Sequence, residues 1–115
     1  MLIKVLALSI LGTYMVVLIT TPSRDISEKI AKEIVERRLG ACVNIVPNVK
    51  SIYWWKQKIE RSDEEILIIK TRFDKFQDLV ALVKELHTYT VPEIIALPII
   101  MGNDEYLKWI DDDLK

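Results

Sequence analysis

VVLITT at Val16–Thr21 returns about fifty residues later as ILIIKT at Ile66–Thr71. Both runs are apolar on both faces, as in central strands covered by helices. The first run extends from Met15 to Thr21 and breaks at Thr-Pro-Ser. Ser23 or Asp25 then caps a helix, with Glu28 placed like the partner in a capping box. Ile26, Ile30, Ile34, Val35 and Leu39 keep helical spacing, and Gly40 is positioned as a C′ glycine. The second run spans Glu65–Thr71 and is followed by an amphipathic helix over Asp74–Leu86. Phe76, Leu79, Val80, Leu82, Val83 and Leu86 form its inner face. Each run therefore opens a β-α unit, and an apolar strand follows each helix.

Between the two units lies CVNIV at Cys42–Val46, then Pro47-Asn48, then VKSIYWWKQKI at Val49–Ile59. One long strand bent by a bulge accounts for this stretch. Gln57-Lys58 and Arg61–Glu64 are the expected turn regions. Thr88–Pro92 is a loop, and Ile94–Ile100 is a fourth strand whose Pro98 places it at an edge or a bulge. Gly102 turns the chain, Asn103 is an N-cap, and a short helix carries Tyr106, Leu107, Trp109 and Ile110. The order β-α-β-β-α-β-α predicts an α+β, ferredoxin-like split β-α-β sheet, with strands in the order four, one, three, two. Both main helices share one face. The other keeps only the last helix, so a partner subunit is expected to cover its apolar side chains.

Composition narrows the chemistry. The 115 residues make one domain, half apolar and 29% charged, with a formal charge of −1. That balance argues against nucleic-acid binding through bulk positive charge. One Cys and one His exclude a single-chain zinc finger, zinc hydrolase or disulfide scaffold. With three Gly and neither phosphate-loop pattern, the usual nucleotide cradles are absent. Val5–Ser23 carries no charge and follows Lys4, which suggests a signal peptide or membrane helix. Interspersed Ser, Gly and Thr and the lack of a small-x-small cleavage pair count against both. The run is read as an extension over residues 1–14 joined to a domain over 15–115, with no stable membrane association.

ACVNIVP at Ala41–Pro47, SIYWWKQKIE at Ser51–Glu60, ILIIKT at Ile66–Thr71 and VPEIIALPI at Val91–Ile99 together form a distinctive set. Gly102-Asn103, Tyr106 and Trp109 complete it. In these segments the chain resembles the CutA divalent-cation-tolerance family from about Met15 to Leu114. The resemblance implies a ferredoxin-like fold, a homotrimer assembled through its sheets, a cytoplasmic setting, and a role in tolerance to copper and other divalent cations. Where members with a reported copper site have a Cys in the first strand, this chain has Ile19. Their paired histidines are here Leu86-His87, and the family's His-Pro-Tyr is His87-Thr88-Tyr89. Gln57 stands where a glycine is common.

His87, at a helix end, is a candidate Cu(II) ligand with Glu93, or a dipole-facing cap. Cys42 reads as a small buried hydrophobe. Tyr53 and Trp55 fall on one side of their strand and Trp54 on the other, and all three suit a subunit interface. Trp55, Lys70, Tyr89 and Glu93 could line a ligand cleft, with Glu93 paired to Lys56 or Lys70. Asp111-Asp112-Asp113 reads as a solvated, fraying tail. No nucleophile–base pair, metal triad or phosphate loop is present, so no catalytic residue is assigned and no cofactor is required. The expected function is a non-enzymatic trimer of metal-ion homeostasis. The alternatives are a metal-free scaffold or signalling oligomer, and an enzyme using Glu93 or His87 as base, Tyr89 as donor and Lys70 as anion clamp.

Overall fold

The computed structural model describes residues 13–115, so the extension expected over 1–14 lies outside them except for its last two positions. The chain runs β1 (Tyr14–Thr21), α1 (Arg24–Glu36), β2 (Cys42–Trp55) and β3 (Lys58–Arg72). A 3-10 turn (Phe73–Lys75) leads into α2 (Phe76–Leu86), followed by β4 (Ile94–Pro98) and α3 (Asp104–Asp113). The sheet order is β2-β3-β1-β4, all antiparallel, which is the order read from the sequence. Pro98 lies on the edge strand, where its missing N–H costs no ladder bond.

Alternation along β1 sorts the two faces. Met15, Val17, Ile19 and Thr21 are buried beneath the helices together with Leu67, Ile69 and Thr71 of β3. Ile30 and Ile34 of α1 and Leu79, Leu82 and Val83 of α2 complete this core. Buried hydroxyls are satisfied locally: Thr71 Oγ1 donates to the Leu39 carbonyl at 2.7 Å, and Thr21 and Ser27 bond to each other. Val16, Leu18, Ile66 and Ile68 share the opposite face by register, flanked by Ile95 and Leu97 of β4. α3 covers only one end of that face, where Ile110 and Leu114 pack on Ala41 beside Tyr14.

Helix ends differ in detail from the sequence reading. Ser23, not Asp25, caps α1 by accepting from the Ile26 N–H. α1 closes in a Schellman motif, with Leu39 N–H bonded to the Ile34 carbonyl and Arg38 N–H to that of Val35. Its left-handed residue is Arg38 (φ 55°), not Gly40. Gly40 is needed for space instead: a Cβ there would sit 2.7 Å from Cγ2 of both Ile34 and Ile69. The acidic tail is not a solvated one. Asp111 accepts from Tyr14 Oη at 2.6 Å and from Arg72 Nη1 at 3.0 Å, and Arg38 donates to the Asp113 carbonyl.

The largest difference lies in the hairpin. Only Lys56-Gln57 turns, and both residues are left-handed (φ 49° and 65°), as a two-residue I′-type loop requires. Arg61–Glu64, expected as a turn, is strand, and Val49–Trp55 pairs with Lys58–Glu64 without a break. The long strand is therefore paired up to its tip. The bulge was correctly placed: Pro47-Asn48 interrupts the register between Val46 and Val49, with Asn48 left-handed at φ 62°. Beyond Glu65 neither β1 nor, among the described residues, any helix accompanies the hairpin. It projects as a bare ribbon of about 20 Å. The molecule is accordingly 49 Å long, with a radius of gyration of 15.6 Å against about 13 Å for a compact chain of this length.

Candidate functional site

Where the ribbon leaves the sheet, its root and the loop before β4 enclose a groove of about 480 Å³. Tyr53 and Trp55 come from β2, Glu64 from β3, Thr20 from the end of β1, and Tyr89 and Glu93 from the α2–β4 connection. Strand period explains the selection. Tyr53 and Trp55 are two residues apart and share a side, while Trp54 is absent from the lining and 72% exposed.

His87 organises the loop side. Its backbone N–H closes α2 on the Val83 carbonyl. Its ring Nδ1 accepts from the Tyr89 N–H at 3.0 Å, which makes Nε2 the donor to the Thr20 carbonyl at 2.7 Å. The rings of His87 and Tyr89 also stack, with centroids 4.6 Å apart. A helix end, a strand end and a loop are thus pinned through one buried side chain. The dipole-facing reading of His87 missed this link, because its partner is 67 residues away.

Tyr89 in turn donates from Oη to Glu64 Oε2 at 2.7 Å. Burial first, then the bond to and charge of Glu64, push its phenol well above the usual range, so it remains a donor at physiological pH. Tyr53 Oη and Ser62 Oγ bond at 2.7 Å on the ribbon. Glu93 is exposed on the groove wall and pairs with neither Lys56 nor Lys70.

Of the four residues expected to line a cleft, three meet here and Lys70 does not. It pairs with Val16 and Cys42 and binds Asn44 Oδ1, six positions along β3 from Glu64, roughly 20 Å away. Glu64 takes its place in the lining. The turn assigned to Arg61–Glu64 hid it, and extended pairing through the charged run would have revealed it. Cys42 is half-buried near Asn44 and not in the core.

The donors fit a single-chain copper site poorly. Both His87 nitrogens are engaged, Ile19 is buried in the core, and no group of three His, Cys, Asp or Glu side chains converges among the described residues.

Comparison with known proteins agrees with the architecture. Residues 15–113 match the family described as CutA1 divalent ion tolerance protein. The divalent-cation tolerance protein CutA of Thermus thermophilus is 52% identical over 98 residues, covering 85% of this chain and 95% of that one. A solved structure from that organism superposes with a TM-score of 0.87 at 50% identity, over 89% of this chain and 99% of the other. A structure titled as the periplasmic divalent cation tolerance protein CutA from Archaeoglobus fulgidus gives 0.86 at 45%, over 89% and 99%. The chloroplastic CutA of Arabidopsis thaliana is 46% identical over 87% of this chain and 55% of its own length. With its sheet order, its core and nearly all of its domain shared with these proteins, the chain belongs to the CutA1 divalent ion tolerance family.

Proposed function

We propose that the protein acts in divalent-cation tolerance as a non-enzymatic homotrimer, and that the groove is its ligand site. One observation carries the assembly: Ile52, Tyr53, Trp54, Trp55 and Ile59 are all exposed on a ribbon that, among the described residues, is met only at its root by the α2–β4 loop. Such a surface, continuous with the outer edge of β2 and the open sheet face, calls for a protein partner. A second copy can supply an edge for an edge, and a heterologous contact that closes gives a ring. The groove lies at the root of the ribbon, where a neighbouring subunit would complete it. Sedimentation tests the assembly: a species three times 13.4 kDa at micromolar concentration supports it, and a folded monomer overturns it.

Copper is a second reading of the site, favoured by Glu93, an exposed carboxylate with no ion pair. Ligation by His87 requires release of its bond to Thr20 or from Tyr89. Saturable Cu(II) heat in titration calorimetry, lost in both His87→Ala and Glu93→Gln, supports this reading. Indistinguishable titrations of wild type and variants remove it. Residence in the cytoplasm belongs to the same proposal. Cell fractionation checks it.

A further inference from the structure

The groove has a one-sided chemistry. Glu64 and Glu93 bring two carboxylates, Tyr53, Trp55 and Tyr89 bring three aromatic rings, and among the described residues no Lys or Arg lines it. Lys70, the cation that could have balanced the charge, is held by Asn44 at the far end of the face. The Tyr89 phenol occupies one oxygen of Glu64, and none of the ion pairs among the described residues uses Glu93.

Three ligand classes fit this lining badly. An anion meets two carboxylates and no counter-charge. A neutral apolar molecule would strip water from those carboxylates and return no hydrogen bond. A bare hard cation wants six or more converging oxygens, and much of this lining is aromatic ring face, which supplies none. A cation attached to an apolar body suits both the acidic and the aromatic parts of the lining: its head meets carboxylates and the negative ring faces, and its body lies on Trp55 and Val91. We propose that the groove binds an organic cation, an ammonium or guanidinium group carried on an alkyl or arylalkyl body. This rests on the groove being the ligand site of the chain.

Phenethylammonium, 2-phenylethanol and 3-phenylpropionate share an aryl body and differ in charge, being cationic, neutral and anionic. Each is titrated into the full chain, followed by tryptophan fluorescence and calorimetry. The expected result is saturable binding of the ammonium with a Kd at or below about 1 mM, with the alcohol at least about tenfold weaker and the carboxylate silent. Glu93→Gln, an exposed change without a hydrogen-bond partner to lose, weakens the ammonium by about fivefold or more, and Trp55→Leu does the same. Equal affinity for ammonium and alcohol, or an unchanged Kd in Glu93→Gln, overturns the inference. Sedimentation of the same samples separates it from the assembly proposal. A trimer that ignores the ammonium overturns the ligand class alone, and a monomer that binds it overturns the trimer alone. Should Trp55→Leu change the sedimentation, Glu93→Gln decides.

Discussion

The two halves of β3 share one strand and little else. From Glu65 to Arg72 it lies between β1 and β2 and beneath helices, and Leu67, Ile69 and Thr71 are sealed. From Lys58 to Asp63 it has one strand partner and no helix over it among the described residues, and Ile59 is 59% exposed where Ile69 is at 0%. The first environment is finished within the subunit. The second carries apolar side chains that no other described residue buries, so the same backbone serves a core at one end and, in the proposed assembly, a docking element at the other.

The strongest way to break this contrast is at the ribbon. Trp55→Glu is expected to abolish the trimer and leave a folded subunit, read by analytical ultracentrifugation alongside circular dichroism. Retention of a trimer would show that the ribbon is not what joins the copies. Next comes a pair of identical substitutions. Ile69→Ala is expected to cost about 3–4 kcal/mol in urea unfolding, as a cavity in a dense core does. Ile59→Ala costs under about 1 kcal/mol if the ribbon is solvated, and approaches the Ile69 value only if a neighbouring copy buries it.

Acid sharpens the comparison further. Arg24 holds the Glu65 carboxyl below its ordinary 4.5, and Arg72 holds Asp74 below its ordinary 3.8. A carboxylate depressed on folding adds stability that is complete above its unfolded value and is lost as pH falls through the lower folded value. Unfolding midpoints should therefore fall as pH drops below about 4, and Glu65→Gln should lessen the fall. The Lys50–Asp63 pair on the ribbon has side chains 76% and 80% exposed, and Asp63→Asn should shift stability by no more than about 0.5 kcal/mol. A small effect of the opposite sign is expected at the tip: Gln57→Gly relieves a left-handed non-glycine residue and should stabilise by about 0.5–1 kcal/mol.

The same contrast explains what was legible in the residues. Both main helices are buried on one side, so solvent and core wrote a period into them, while β1 and the later half of β3 stand out as continuous apolar runs, and together these gave element order and sheet topology. The Pro47-Asn48 bulge was legible because proline leaves the ladder a gap. On the bare ribbon no core enforces a pattern, and RSDE at Arg61–Glu64 looked like a loop while pairing as strand. The true turn, Lys56-Gln57, lacks the Asn or Gly that usually marks left-handed positions. That error concealed Glu64 and left Lys70 in the cleft. His87 was recognisable as a helix end, but its tie to Thr20 depends on the packed tertiary structure.

The place of β1 in the sheet has a consequence for synthesis. It leaves the ribosome before the other described strands, yet it lies between β3 and β4 and anchors α3 through Tyr14 and Asp111. Its last neighbour emerges some eighty residues later, a wait of roughly 4–15 s at ordinary elongation rates. Throughout that interval an aliphatic strand stands with an unmatched edge. α1 follows it at once and can cover one face early. The slow, late step is the arrival of β4, so a nascent chain stalled before Ile94 should be the form most exposed to chaperones and to self-association.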